Sequence, residues 1–396
     1  MEFFIQMGHG MQKICRDLSN EWDGATVIVS PQNVKQDKLE AFAKNIRAAK
    51  GAVLFDPQFY TPRKYHKHIS QYDYWPETGI TQLENGSCEV LVKRLADLNA
   101  CIGAETFILP SHLTNNPGDV WNRYQTAVAN QARKNSKLNL LHTVALSHPV
   151  LDSDESVERI IQCVATWDVD GVYLVCEHPE RYYLVDKPLW LANILALVAG
   201  IKRLGKKVAV GYASHQMLCL SLAKCDAIAA GNFLNVRWFQ PEHFETVDSD
   251  EISRRSKWYY CPQTLSEYKV SFLDVAKGLD KLSWLKPPSN MTNKFSNMLF
   301  GGALPSSTNY TETDSHCHYL HSLRTQCNMA AKPTYQETKD YQRVVLETAE
   351  KLLNGLRNDG IRGQDRDFGE IIDVNRAAIS LFDKNYGFAM AHEWNQ

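Results

Sequence analysis

Several kinds of segment are missing from this 396-residue sequence, and each absence excludes a class of protein. The longest apolar stretch, Leu189 to Ile201, is too short to cross a bilayer. The first residues lack the basic region and long apolar core of a secretory signal. The ten cysteines show no paired spacing, which favours reduced core residues over a disulfide framework. We therefore expect a cytoplasmic protein with no membrane partner.

Four well-known functional motifs are also absent. The sequence contains no glycine-rich dinucleotide fingerprint, no P-loop, no HExxH zinc motif and no G-x-S-x-G nucleophile elbow. The formal net charge is only −2, so the chain is not a general polyanion binder. Local basic clusters remain, and they are candidates for contact with a nucleic-acid backbone. Their members are Arg63, Lys64, Arg254, Arg255 and Lys257.

Eight short apolar runs recur along the chain, and most are followed by a helix-like segment. The runs are residues 25–30, 52–55, 106–110, 140–146, 171–176, 207–211, 226–231 and 257–261. Strands that alternate with helices through short connections favour parallel pairing with right-handed crossovers. Eight such units favour a closed barrel over an open sheet. The sequence thus predicts an α/β fold, a (β/α)8 TIM-type barrel with a C-terminal helical appendage.

The predicted barrel occupies residues 1–284, with residues 1–24 as an N-terminal cap or helix. Residues 285–396 form a second region, which begins with a long loop or insertion at 285–334. That segment is rich in proline, glycine, asparagine and threonine. Two amphipathic helices, at 335–357 and 366–384, then complete the C-terminal region packed on the barrel.

Nearly every predicted strand ends in a polar residue suited to chemistry. In a parallel barrel the carboxyl ends of all strands share one rim, which holds the active site. Asp56 directly follows a buried strand, so partial desolvation would raise its pKa and suit it to acid–base work. Glu177 follows the strand at 171–176 and would face Asp56 across a bound substrate. Two opposed carboxylates suit acid or base assistance and stabilisation of an oxocarbenium ion.

Other rim residues would bind the substrate. Gln58 could read a base edge and Tyr60 could stack on a base. In the segment 231–239, Arg237 could hold a phosphate and Trp238 could stack. The remaining candidates for the pocket are Ser111, His112, His178, His215, Asn232 and Asn235.

The segment 314–327 clusters possible zinc ligands, although its spacing matches no compact knuckle. Those ligands are His316, Cys317, His321 and Cys327. A structural zinc site and a polar loop with incidental histidines both stay open. No cofactor is expected for the chemistry itself.

Over roughly residues 25–330, the order and type of segments resemble the tRNA-guanine transglycosylase superfamily, including its DNA-acting branch. Residues 28–60 resemble the family's first two strands, and ILPSHL (108–113) lies where the family has DSGGFQ. YLVCEHP (173–179) lies near the family's base-recognition segment. Residues 206–237 resemble its late strand–helix–strand, and SHCHYLHSL (315–323) lies where the family has its zinc site.

The resemblance implies chemistry at an N-glycosidic bond of nucleic acid, with DNA favoured over tRNA. The family's nucleophilic aspartate would fall near Asn232, and this sequence has no carboxylate there. We therefore expect a DNA glycosylase that excises a modified base and leaves an abasic site, in the manner of phage-defence glycosylases. Asp56 would be the principal catalytic carboxylate and Glu177 its assistant. Three alternatives stay open: a transglycosylase inserting a 7-deazaguanine, a non-catalytic nucleic-acid-binding barrel, and a hydrolase of free nucleosides.

Overall fold

In the computed structural model, which describes residues 1–63, 66–76, 88–244 and 256–394, eight parallel strands form a nearly closed barrel. The strands are β1 (Glu2–Gln6), β2 (Thr26–Val29), β3 (Ala52–Phe55), β4 (Thr106–Leu109), β5 (Asn139–Leu146), β6 (Gly171–Cys176), β7 (Lys207–Val210) and β8 (Ala227–Ala230). Their order around the sheet is β3-β2-β1-β8-β7-β6-β5-β4. The predicted (β/α)8 barrel with a C-terminal helical appendage is thus confirmed.

The first strand of the barrel was not among the predicted eight. β1 lies in the middle of the sheet, where Phe4 pairs with Thr26 of β2 and with Ala229 of β8. The expectation that residues 1–24 form a cap or an N-terminal helix is therefore wrong for residues 2–6, which form a barrel strand. The short run EFFIQ carries polar residues at both ends, and its burial comes from neighbours more than twenty residues away. Only α1 (Gln12–Glu21) matches the predicted N-terminal helix.

The last predicted strand lies outside the barrel. β9 (Trp258–Cys261) pairs antiparallel with β10 (Ser266–Lys269), and the two form a separate hairpin. Four residues connect them, which permits a hairpin but is too short for the crossover that parallel strands need. The predicted number of barrel strands, eight, is therefore right, but the strand at 257–261 is not one of them and β1 takes its place.

Helices surround the barrel and extend beyond it. The barrel helices after α1 are α2 (Gln36–Ala48), α3 (Cys88–Cys101), α4 (Asp119–Asn135), α5 (Asp154–Thr166) and α6 (Pro188–Arg203). A 3-10 helix, His215–Ala223, follows β7. Later helices are α7 (Val270–Gly278), α8 (Leu282–Leu285), α9 (Lys294–Asn297), α10 (Glu312–Ala330), α11 (Tyr335–Asn358) and α12 (Ile372–Trp394). Among the described residues, no helix is long and apolar enough to span a membrane.

Helix α10 lies within residues 285–334 and corrects the prediction that this segment is a long loop or insertion. Thr311 and Asp314 cap its first turn reciprocally, as Thr334 and Glu337 do for α11. The Thr-x-x-Asp signature is visible in the sequence, but the histidines and polar residues that follow mask the helical period. α12 packs on α6, and α10 contacts β1. The domain boundary at residue 284 stays a prediction.

The interior of the barrel contains a compact cluster to which the strands contribute one buried ring, that of Tyr173. Tyr173 and Val175 of β6 alternate with Val172 and Leu174, which face the helices. Strands β7 and β8 contribute small interior side chains, Ala209 from β7 and Ala227 and Ala229 from β8. Large and small residues thus complement each other, as close packing requires. This interior lies directly beneath the candidate site.

Candidate active site

Asp56 lies at the carboxyl end of β3 and its side chain enters the barrel. Successive side chains of a strand point to opposite faces, so Asp56 follows Leu54, an interior residue, while Phe55 faces the helices. Asp56 is 1% exposed. The parity of the strand therefore places a carboxylate inside the barrel mouth, where an unpaired charge is costly.

Three donors satisfy this carboxylate. Its Oδ1 accepts the backbone N–H of Gln58 at 2.9 Å. Its Oδ2 accepts the hydroxyl of Tyr60 at 2.8 Å and the hydroxyl of Tyr212 at 3.1 Å. The side-chain amide of Gln58 in turn donates to the Tyr212 hydroxyl at 3.0 Å. The predicted residues Asp56, Gln58 and Tyr60 thus come together, and Tyr212 joins them from the other side of the barrel.

Burial and these hydrogen bonds act on Asp56 in opposite directions. Burial raises the pKa of the Asp56 carboxyl, and the donors from Gln58, Tyr60 and Tyr212 offset part of that rise. The resulting pKa is about 6. The group is thus mainly ionised at pH 7 and close enough to neutrality to exchange a proton, as a general base or acid requires.

The backbone around Asp56 is strained at two points. Gln58 and Tyr212 both adopt the left-handed conformation, with φ of 51° and 50°. Neither is a glycine, asparagine or aspartate, so each conformation costs free energy. Both residues donate hydrogen bonds within this cluster. Strain that concentrates on the partners of one buried carboxylate is typical of a functional site.

Gly211 is required beside this cluster. A Cβ atom at this position would lie 2.2 Å from the Tyr173 hydroxyl. That hydroxyl donates to Gln6 Oε1 at 3.1 Å. The missing side chain of Gly211 therefore makes room for the ring that fills the barrel below Asp56.

Aromatic rings cover the carboxylate from above. The ring of Tyr60 lies 5.0 Å from Phe239 and 5.1 Å from Phe244 between centroids. The ring of Tyr212 lies 5.6 Å from Phe239 and 6.0 Å from Phe244. Both phenylalanines belong to the segment 231–244 that follows β8, which we call the cover segment. In this structure the cover segment closes the mouth of the barrel over Asp56.

Glu177 hydrogen-bonds outside the Asp56 cluster, and the expectation that it faces Asp56 across a substrate stays a prediction. Its Oε2 accepts the backbone N–H of His148 at 3.0 Å, at the start of the 3-10 helix His148–Asp152. Its backbone N–H donates to Leu146. Among the described residues, Glu177 and Asp56 share no hydrogen-bond partner. One Glu177 carboxylate oxygen thus holds the start of that 3-10 helix, a contact that its position at the end of a strand does not reveal.

His178 and Trp238 lie next to Glu177. The His178 ring lies 5.2 Å from Trp190 and 6.2 Å from Trp238 between centroids. Burial lowers the pKa of His178 to about 4, so the imidazole is neutral near pH 7. Its backbone joins the cover segment, because the His178 N–H donates to Phe239 and Gln240 donates back to the His178 carbonyl.

Ser111 and His112 form a further pair at the end of β4. The Ser111 hydroxyl accepts from the Gln125 amide at 2.7 Å. The His112 ring lies 5.1 Å from Tyr124 between centroids. These contacts tie the strand end to α4. They give the two residues packing partners on the barrel wall.

Asn232, Arg237 and His316 line a separate polar cavity beside the barrel mouth. The buried Arg237 donates to Glu267 Oε1 at 2.8 Å, to Gly231 O at 2.9 Å and to Asn232 O at 2.7 Å. The expectation that Arg237 holds a substrate phosphate bidentately is therefore wrong, because its guanidinium is already engaged. Burial raises the pKa of Glu267, but Arg237 and Arg366 outweigh this effect and hold it at about 2.

His215 lies apart from Asp56, in a buried aromatic environment. Its ring lies 5.0 Å from Tyr260 and 5.6 Å from Phe368 between centroids. Burial lowers its pKa to about 4. The predicted pocket role of His215 is thus replaced by packing between the barrel and the C-terminal region.

The predicted backbone contacts are only partly described. Arg63 and Lys257 are exposed, and Lys257 donates to the Tyr310 carbonyl at 2.8 Å. Asn235, which was predicted to line the pocket, is exposed as well. The other three predicted contacts, Lys64, Arg254 and Arg255, lie outside the described residues.

The four predicted zinc ligands are distributed along α10. His321 accepts the indole N–H of Trp22 at 3.0 Å, whereas His316 contacts Asn232 at 3.3 Å. Eleven residues of helix separate His316 from Cys327, about 16 Å along the axis. No group of three or more His, Cys, Asp or Glu side chains within the described ranges is placed to hold a metal. The prediction that these four residues converge on zinc is therefore wrong for this conformation.

Sequence reasoning missed Tyr212, Tyr173 and Glu267. Tyr173 could have been found from the two-residue period of its strand, which places it on the opposite face from Val172 and Leu174. The sequence indicates Tyr212 more weakly, by its position after Gly211 just beyond β7. Glu267 gives no signal, because its partners are 30 and 99 residues away.

Comparison with known proteins adds little to this picture. No family model matches the sequence, and no curated protein matches it. A HpcH/HpaI aldolase/citrate lyase family protein from Burkholderia cenocepacia J2315 is similar at 13% identity and a TM-score of 0.34, over 58% of this chain and 86% of that one. N-acetylneuraminate lyase from Mycoplasma synoviae is similar at 11% identity and a TM-score of 0.35, over 81% of this chain and 97% of that one. At such values the similarities carry no functional argument.

Proposed function

We propose that this protein is a glycosylase that hydrolyses the N-glycosidic bond of a modified base in DNA and leaves an abasic site. Asp56 is the acting carboxylate. The observation that carries the proposal is a carboxylate at the barrel rim, buried between two tyrosine hydroxyls, with a pKa of about 6. The choice of nucleic acid as substrate rests on the resemblance of segment order to the tRNA-guanine transglycosylase superfamily.

The proposed reaction needs one proton acceptor and one region of negative charge. Ionised Asp56 takes a proton from water as the water oxygen attacks C1′ of the sugar. The C1′–N bond breaks, its electron pair leaves with the base nitrogen, and the proton that Asp56 took from water then passes to that nitrogen, which restores the ionised carboxylate. Before the attack is complete, the carboxylate stabilises the positive charge that develops at C1′. Asn232, where that superfamily has its nucleophile, cannot form the covalent intermediate, which favours hydrolysis over base exchange.

The surroundings of Asp56 suit a planar base. Tyr60, Tyr212, Phe239 and Phe244 provide ring surfaces, and the Gln58 amide can hydrogen-bond to a base edge. The target nucleotide must leave the duplex to reach this site. Because Phe239 and Phe244 now occupy the space above Asp56, the proposal requires the cover segment to move when substrate binds.

The test is release of a base from polymer. The purified protein is incubated with unmodified DNA, with phage DNA that carries modified bases, and with bulk tRNA. Released bases are identified by mass spectrometry, and abasic sites are scored by strand scission in alkali. We expect a free modified base and abasic sites from modified DNA. Uptake of an added deazaguanine base into polymer would instead favour a transglycosylase.

Two variants make the assignment to Asp56 specific. Asp56→Asn should lower turnover by about 10²–10⁴-fold, the usual contribution of a general acid or base. Asp97→Asn, at an exposed aspartate of α3, is the matched control and should leave turnover unchanged. Full activity of Asp56→Asn would refute the proposal.

A nucleic-acid-binding barrel without catalysis is the second candidate, and the closed cover favours it. Asp56 is 1% exposed beneath Phe239 and Phe244. If the cover segment never opens, the carboxylate is structural. DNA binding without product from any polymer, unchanged by Asp56→Asn, would favour this candidate.

A further inference from the structure

A polar cavity lies beside the barrel mouth, apart from Asp56. The loop after β8, the β9–β10 hairpin, the start of α10 and the 3-10 helix Gln364–Arg366 surround it. Its volume is about 430 Å³, within the range of small-molecule sites. The cover segment forms one wall, so the cavity and the Asp56 cluster share an element.

The floor of the cavity has an unbalanced charge. Glu267 pairs with Arg237 at 2.8 Å and with Arg366 at 2.9 Å. The side chains of Arg237 and Glu267 are each 3% exposed, and that of Arg366 is 16% exposed. Two guanidinium groups therefore meet one carboxylate, a local excess of one positive charge at the floor, while the carboxylates of Glu312 and Asp365 lie on the outer walls. A bound anion would neutralise it.

Unused polar atoms point to a ligand. Within the described part of the chain, Arg366 Nε and Asn232 Oδ1 are buried without a hydrogen-bond partner. Asn232 itself is 5% exposed and lines the cavity. Buried polar groups are normally paired, so each orphan calls for an explanation. A ligand that accepts from Arg366 would satisfy its Nε, whereas Asn232 Oδ1 faces Gly8, outside the lining of the cavity.

The Trp258 ring makes cation–π contacts with two basic side chains at the edge of the cavity. Arg366 Cζ lies 3.9 Å from the centroid of the Trp258 ring, and Lys269 Nζ lies 5.5 Å from it. Lys269 forms no ion pair with any described residue. Its ammonium group is thus positioned by a ring rather than neutralised by a carboxylate.

The outer walls carry charge of the other sign. Glu312 and Asp365 line the cavity, and Glu312 Oε1 lies 4.0 Å from His316 Nε2. These carboxylates disfavour a long polyanion but can accept hydrogen bonds from hydroxyl or amino groups. The arrangement therefore suits a small ligand with one anionic end and a body rich in donors.

We infer that this cavity binds a small polar ligand whose oxyanion, a phosphate or a carboxylate, is held by Arg366 and Lys269. The rest of the ligand contacts Asn232 and the outer carboxylates. Arg237 and Trp258 act as positioning residues, since they hold Glu267, Arg366 and Lys269 in place. The inference is independent of the proposed glycosylase reaction, because binding here requires neither Asp56 nor turnover.

Titration calorimetry of the full chain tests the inference, with four probes at low salt. The probes are deoxyguanosine monophosphate, deoxyguanosine, inorganic phosphate and acetate. We expect the monophosphate to bind at least about tenfold more tightly than deoxyguanosine, because charge-assisted bonds to Arg and Lys are the strong ones. Phosphate and acetate then separate the two oxyanions. Equal binding of nucleotide and nucleoside, or no binding of any oxyanion at millimolar concentration, would overturn the inference.

Variants locate the binding. Lys269→Gln and Arg366→Gln should each weaken binding by tenfold or more, and Arg366→Gln leaves Glu267 paired with Arg237. Lys281→Gln is the matched control, since Lys281 also lies over a tryptophan ring, at 4.0 Å, but outside this cavity. Binding that all three variants leave unchanged would place the ligand elsewhere. The same titration on Asp56→Asn protein should give wild-type affinity, whatever the outcome of the glycosylase assay.

Discussion

Asp56→Asn should stabilise the fold at neutral and alkaline pH while it lowers turnover. Burial places the folded-state pKa of Asp56 at about 6, above the ordinary value of 3.8 that we take for the unfolded chain. The folded state therefore binds this proton more tightly than the unfolded state does. The stability that the proton provides is fully present below pH 3.8. It is lost as the pH rises through 6, because the buried carboxylate must then ionise.

The magnitude follows from the same two values. Each unit of pKa difference corresponds to about 1.4 kcal/mol, so ionisation of Asp56 costs about 3 kcal/mol of folding free energy at pH 8. The group is almost fully buried, so solvent screening does not reduce this figure much. Asparagine has nearly the same shape and no charge to desolvate. Its amide N–H₂ must, however, adapt to two tyrosine hydroxyls, and those hydroxyls can rotate to accept.

The assay is urea unfolding of the wild type and the variant at pH 4.5 and pH 8. At each pH we take the free energy of unfolding of the variant minus that of the wild type. This difference should be about 2 kcal/mol larger at pH 8 than at pH 4.5. Asp97→Asn provides the baseline for an exposed aspartate and should show no such pH dependence. If Asp56→Asn tracks the wild type at both pH values, the carboxyl does not have a raised pKa and the argument for its chemistry fails.

Two further predictions test the packing around this carboxyl. Tyr212→Phe removes a hydrogen-bond donor to Asp56, so the pKa of Asp56 should rise above 6. The acidic limb of the pH–rate profile should then move to higher pH. An unchanged limb would contradict the hydrogen bond between Tyr212 and Asp56. Gly211→Ala places a Cβ atom 2.2 Å from the Tyr173 hydroxyl and should cost about 1–3 kcal/mol in thermal or urea unfolding. Gly278→Ala, in a helix with open space around it, should be neutral or stabilising by up to about 1 kcal/mol, and equal losses in both glycine variants would refute the steric argument.

The alternation of apolar runs and helical segments determined most of the fold. Seven of the eight predicted strands are barrel strands, because buried parallel strands are short, continuously apolar and bounded by polar turns. The same periodicity places Asp56 inside the barrel, since its position differs from that of interior Leu54 by two residues. The sequence also marks Gln58 and Tyr60 as its neighbours, because they follow within four residues.

Contacts between distant segments could only come from the tertiary structure. β1 joins the barrel because β2 and β8 pair with it on either side. The sequence EFFIQ by itself does not predict a barrel strand. Tyr212 reaches Asp56 across 156 positions through a left-handed backbone that no local propensity predicts.

The charges show the same division between sequence and structure. The sequence identifies Glu177 and Arg237 as polar residues just beyond buried strands, which made both candidates for the site. In the folded chain, Glu177 accepts a hydrogen bond from a backbone N–H, and Arg237 forms an ion pair with Glu267. The sequence thus determines which residues reach the rim of the barrel. The three-dimensional arrangement of their partners decides which of these charges remains available for chemistry, because only that arrangement sets burial and hydrogen bonding.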